Sequence, residues 1–139
     1  MLKKNEEYIV NIIDQGMSGE GIAKIDNITV FVAGAIKGEK VKVLITKVLS
    51  SLAYAKLIEI ISKSNSRIDV DCKTYRQCGG CSLRHMTYEH TLRLKADNVR
   101  NCFKKNLIED VVIEPCIGMK SPIWYRNKLQ YPLRAWCKW

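Results

Sequence analysis

The sequence predicts an all-β, five-stranded barrel followed by a small α+β segment that is incomplete on its own. Five short β-type runs fall within residues 8–61 with no helical periodicity between them. A single amphipathic helical pattern begins after residue 87. The charge also divides sharply: residues 1–62 hold 8 Lys/Arg against 7 Asp/Glu (+1), while residues 63–139 hold 15 against 7 (+8), for a total of +9. The apolar share of 47% is that of an ordinary globular chain.

The first run, Tyr8-Ile9-Val10-Asn11-Ile12-Ile13, stops at Asp14-Gln15-Gly16. The second, Ile22-Ala23-Lys24-Ile25, breaks at Asp26-Asn27, a dipeptide that tolerates the left-handed backbone of a tight hairpin. Ile28-Thr29-Val30-Phe31-Val32 is the third. In the fourth, Lys40-Val41-Lys42-Val43-Leu44-Ile45, alternation sets Val41, Val43 and Ile45 on one face and the lysines on the other. Ala53 to Ile61 is the fifth. So many short strands in so little chain suit a closed barrel of the oligonucleotide-binding type. The glycine-bearing stretches Gly16-Met17-Ser18-Gly19-Glu20-Gly21 and Gly34-Ala35-Ile36-Lys37-Gly38-Glu39 read as barrel turns. The first lacks the Lys-Ser/Thr and the following helix of a phosphate-binding loop.

Residues 62–71 are polar, without periodicity, and read as a linker from the barrel (1–61) to the second segment (72–139). In that segment Thr87 is a plausible N-cap, and Leu92, Val99, Phe103 and Leu107 recur on one side of the helix. His90, Arg93, Lys95, Arg100 and Lys104 lie around the rest. Val111-Val112-Ile113-Glu114 reads as a strand ended by Pro115. One helix and few large apolar residues make a thin core, of the kind that a metal or a partner often supplements.

No run approaches the ~20 apolar residues of a membrane span, and the N-terminus has no secretory pattern. A cytoplasmic location is expected, where the six cysteines stay reduced and serve metals or catalysis. Cys72, Cys78 and Cys81 lie within ten residues, and Gly79-Gly80 lets the close pair turn toward one centre. The spacing suits an iron–sulfur cluster, or zinc if His85 closes the set. A thioredoxin-like dithiol is disfavoured, because no strand–helix alternation surrounds it. Otherwise His85 is an exposed loop or helix-start residue. Cys102 reads as helix packing, and Cys116 and Cys137 as packing or incidental.

These motifs resemble a known family. Gly16-x-x-x-Glu20-Gly21-Ile22-Ala23, Val30-Phe31-Val32 and Gly34-x-x-x-Gly38-Glu39 resemble the TRAM domain, a small RNA-binding barrel. Cys72-x5-Cys78-Gly79-Gly80-Cys81, Ile117-Gly118-Met119 and Tyr125-Arg126-Asn127-Lys128-Leu129-Gln130-Tyr131-Pro132 resemble the next part of RNA (uracil-C5)-methyltransferases. The resemblance implies methyl transfer from S-adenosylmethionine to a uracil of ribosomal or transfer RNA in a full-length parent. It also implies a [4Fe-4S] cluster on Cys72, Cys78 and Cys81, with a fourth cysteine well downstream. That cysteine and the cofactor-binding catalytic domain have no match here, and Arg134-Ala135-Trp136-Cys137-Lys138-Trp139 departs from the family's continuation. The expectation is a truncated N-terminal part, inactive alone, that binds RNA.

Arg126, Lys128 and Arg134, interleaved with Trp124, Tyr125, Tyr131 and Trp136, suit phosphate neutralisation and base stacking on single-stranded RNA. The aromatics equally suit a core. On the barrel, Lys24, Lys40 and Lys42 are weaker candidates. Two rival readings stand beside this one: a free-standing RNA-binding module with structural zinc, and a chain completed by a second polypeptide.

Overall fold

A computed structural model describes residues 2–78, 80–123 and 127–128, without the side chains of Arg76 and Cys78. Six strands precede two helices: β1 (Glu7–Asn11), β2 (Asp14–Gln15), β3 (Gly21–Ile25), β4 (Ile28–Ala33), β5 (Lys40–Val48), β6 (Leu52–Ser62), α1 (Tyr75–Cys78) and α2 (Tyr88–Lys105). The strands form one sheet in the order β1-β5-β6-β4-β3-β2, all neighbours antiparallel except β4 and β6.

The sixth strand comes from a bend in the first predicted one. At Ile12 the amide donates to Glu39 O (2.8 Å), and at Ile13 it donates to Ile22 O (2.8 Å). Consecutive amides thus turn to opposite neighbours. The two halves of one chain stretch, β1 and β2, become the two ends of the sheet, and the sheet closes on itself.

Alternation decides which side chains fill the barrel. Val41, Val43 and Ile45 are fully buried, as their spacing predicts, with Val30, Val32, Ala23 and Ala53 facing them. The Asp26-Asn27 hairpin has φ of 48° and 64°, the two left-handed residues its type of turn requires.

Helix α2 starts where its cap predicts: Thr87 Oγ1 accepts from His90 N at 3.3 Å. It ends in a Schellman turn, with Leu107 left-handed (φ 57°) and bonds from Leu107 N to Lys104 O and from Ile108 N to Phe103 O. Its buried face differs from the predicted one. Thr91 and Leu94 are buried, whereas Val99 is 46% and Leu107 86% exposed. The helix turns its Thr91/Leu94 side inward, where Met86 and the barrel's Ile36 form a second, small core with Leu94. Apolar residues lie on more than one side of α2, so periodicity alone picks the wrong stripe.

Two further expectations are corrected. Val111 to Glu114 form no strand: they pair with no strand of the sheet, and Val111, Val112 and Glu114 are exposed. Cys102 is exposed rather than packed. Among the described residues no helix is long and apolar enough to cross a membrane.

Candidate nucleic-acid interface and cysteine loop

The segment expected as a linker is strapped to the barrel. Glu39, wholly buried at the start of β5, accepts from Arg67 Nε at 2.5 Å and Nη2 at 2.8 Å, from Ile36 N at 2.9 Å and from Ser64 N at 3.3 Å. Arg67 Nη2 also donates to Gly34 O at 2.7 Å. Burial pushes the Glu39 carboxyl up, but the Arg67 bonds and the two amides outweigh it and hold the pKa below the ordinary value. Arg67 then bridges to Met86, Ile68 N donates to His85 O, and Thr87 N donates to Ser66 O. The chain is thus fixed to the barrel just before the cysteines and again just after them.

A second contact uses the first glycine stretch. Gly19 has φ +87°, and a Cβ there would stand 2.1 Å from Leu83 Cδ2. Beside it, Gln15 shares a 2.6 Å bond with His90 Nε2, and Asn98 Nδ2 donates to Met17 O at 3.3 Å. The loop is a dock for α2, which accounts for its small residues without any phosphate.

Within the cysteine loop, Cys72 and Cys81 are free thiols, half-buried and exposed respectively. Cys72 Sγ lies 3.5 Å from Thr74 Oγ1, a bond that draws its pKa down. Arg84, held by Asp71 at 2.8 and 2.9 Å, stands beside Cys81. For Cys72 that lowered pKa favours the thiolate that soft metals need. Thiol donors are of the type that iron–sulfur clusters and zinc take. The Cys78 side chain lies outside the described residues, and among those described no group of three or more His, Cys, Asp or Glu is gathered as a metal site.

His85 is 4% exposed, contrary to the expectation of an exposed residue. Its Nδ1 shares a 2.8 Å bond with Tyr75 Oη, while its Nε2 is buried without a partner. Burial, with the nearby Arg67 charge, pushes its pKa down to about 4. This imidazole ties α1, between Cys72 and Cys81, to the strap that carries Arg67.

The predicted RNA contacts fare unequally. Arg126, Arg134 and the aromatics Trp124, Tyr125, Tyr131 and Trp136 lie outside the described residues, while Lys128 is exposed. Lys24 and Lys40 are exposed; Lys42 is engaged by Glu7 at 2.5 Å. Sequence reasoning missed what the register builds on the outer barrel face. One row runs Ile22, Phe31, Tyr54, Lys47 across β3, β4, β6 and β5. The Phe31 and Tyr54 rings stack with centroids 5.8 Å apart at 29°. Only the parallel β4–β6 pairing joins them, and no local pattern announces it.

Comparison with known proteins matches the barrel alone: residues 2–58 match the TRAM domain. Over 95% of its length the chain is 48% identical to an uncharacterized RNA methyltransferase of Clostridium acetobutylicum and 44% identical to one of Clostridium tetani. A relative from Staphylococcus epidermidis, also named an RNA methyltransferase, is 41% identical. The chain spans about 29% of the length of each of these relatives. The solution structure of a conserved Methanococcus maripaludis protein is 40% identical, covering 41% of this chain and 81% of that one, with a TM-score of 0.40.

Proposed function

We propose that this chain is the RNA-binding N-terminal portion of an S-adenosylmethionine-dependent RNA methyltransferase, acting on a uracil C5 of ribosomal or transfer RNA in the cytoplasm. The observation that carries this reading is the match of 95% of the chain to 29% of proteins named RNA methyltransferases. The TRAM barrel and the +8 of residues 63–139 support RNA as the ligand. Methyl transfer then belongs to the part of those relatives that this chain does not span.

Cys72, Cys78 and Cys81 would hold a [4Fe-4S] cluster, with a fourth thiolate supplied from elsewhere in a longer chain. Bound there, the cluster would order the loop rather than exchange electrons. Iron with acid-labile sulfide after anaerobic purification is the expected composition; stoichiometric zinc would transfer the site to the structural-zinc reading.

The binding reading is tested by affinity for RNA against salt. Neutralising ~5 phosphates should give a slope of about −3.5 in log K against log salt on a single strand. A flat profile would refute the electrostatic basis. With S-adenosylmethionine and unmodified RNA, this chain alone should transfer no methyl group.

A further inference from the structure

We infer that the outer barrel face at Phe31 and Tyr54 is a stacking platform for an unpaired base of single-stranded RNA, with Lys24, Lys47 and Lys56 holding the flanking phosphates. This rests on the RNA-binding reading above and names the surface that it uses.

The sheet register assembles the patch. Three adjacent rows of outward side chains cross the sheet: Lys24, Thr29 and Leu52; then Ile22, Phe31, Tyr54 and Lys47; then Ala33, Lys56 and Leu44. Neighbouring rows are two residues apart along β3, β4 and β6, about 6.6 Å, and a bulge on β5 brings Lys47 level with Tyr54. The aromatic pair therefore occupies the middle, with one lysine in the row on each side and a third beside Tyr54. Tyr54 is 44% exposed, unusual for a large ring already stacked on a neighbour. A nucleobase laid on the free face of Tyr54 would extend the existing stack. Such stacking tolerates any base, because every base has a π-face.

Charge points the same way. None of Lys24, Lys47 and Lys56 is in an ion pair among the described residues, whereas Glu7, Asp14 and Glu39 are already matched by Lys42, Lys37 and Arg67. Three uncommitted cations thus surround two rings on a half of the molecule whose net charge is only +1. A duplex would bury its bases away from the rings. Hence the ligand is a single strand.

Binding of the full chain to a fluorescent oligouridylate of about 12 nucleotides tests this, with a duplex of equal length alongside. Tyr54→Leu keeps an apolar side chain and removes the ring; it should weaken single-strand binding about 10-fold and leave duplex binding unchanged. Tyr54→Phe should bind as the parent does. Replacing Lys47 and Lys56 together by Gln should flatten the salt slope by about 1.4. A strand carrying 5-iodouridine should photocrosslink to the peptide holding Phe31 or Tyr54, a readout in the parent protein that needs no variant to fold. Parental affinity in a folded Tyr54→Leu, or crosslinks confined to residues 63–139, would overturn the platform and leave RNA binding standing. Failure of the parent chain to bind either RNA would overturn both.

Discussion

The barrel and the segment that follows it solve the same problem in opposite ways. The barrel closes its sheet, buries a dozen apolar side chains together and keeps its charge near neutral. Among its described residues the second segment has one long helix and a small cluster of Met86, Leu94 and the half-buried Leu83, completed by Ile36 from the barrel; it also carries almost all of the excess charge. It also leaves Val112 84% and Ile117 96% exposed. Like charges oppose its compaction, and little apolar burial offsets them. The difference teaches that the described residues of the second segment depend on the first: polar clasps and the barrel's Ile36 hold them.

The clasps should therefore carry unusual weight. Arg67→Ala leaves the Glu39 carboxylate buried and unpaired, and should cost about 3–5 kcal/mol in a denaturant melt of the whole chain. Replacing both partners by apolar residues should cost far less; an equal loss would mean that packing, not charge, holds the strap. Next come the two cores. Ile45→Ala should destabilise global unfolding by about 2–5 kcal/mol. Leu94→Ala should instead speed hydrogen exchange in α2 while barrel amides keep their protection. Barrel exchange that rises equally would erase the distinction between the two regions.

Gly19→Ala meets both a left-handed backbone and the Leu83 side chain, and should cost about 1–3 kcal/mol. The smallest effect belongs to Tyr75→Phe, about 1 kcal/mol for a part-buried bond to His85 and an exposed one to Ser82 O. Acid should release the same clasp. The folded pKa of His85, near 4, lies below the ordinary 6.5, so the unfolded chain takes up its proton first. Stability is then full above about pH 6.5 and declines toward pH 4, where Glu39, also depressed, begins to add its own loss. Melting temperatures across that range check the sign. A midpoint that rises on acidification would contradict a buried neutral imidazole.

Much of the barrel, and the start of α2, was legible because their information is local. Alternation at Val41, Val43 and Ile45, the Asp26-Asn27 turn and the Thr87 cap each lie within a few residues of what they control. What escaped depends on distant partners. Glu39 and Arg67 are 28 residues apart, and nothing near either reveals a buried pair. The bend that splits β1 from β2 is imposed by two different neighbours, Glu39 and Ile22. His85 looked exposed because the barrel and Tyr75 that cover it lie elsewhere in the sequence. For the site, the cysteine spacing was visible from the start; the pairing of Phe31 with Tyr54 was not.

The Glu39–Arg67 pair also says where the barrel can be cut. The TRAM match ends at residue 58 and the last strand at Ser62, so either looks like a safe place to trim. A piece ending there would keep the acid and discard its base. Glu39, stripped of Arg67 and the Ser64 amide, would have to take up a proton or turn to water. Measured by where its electrostatics balance, the smallest self-contained barrel runs at least to Arg67.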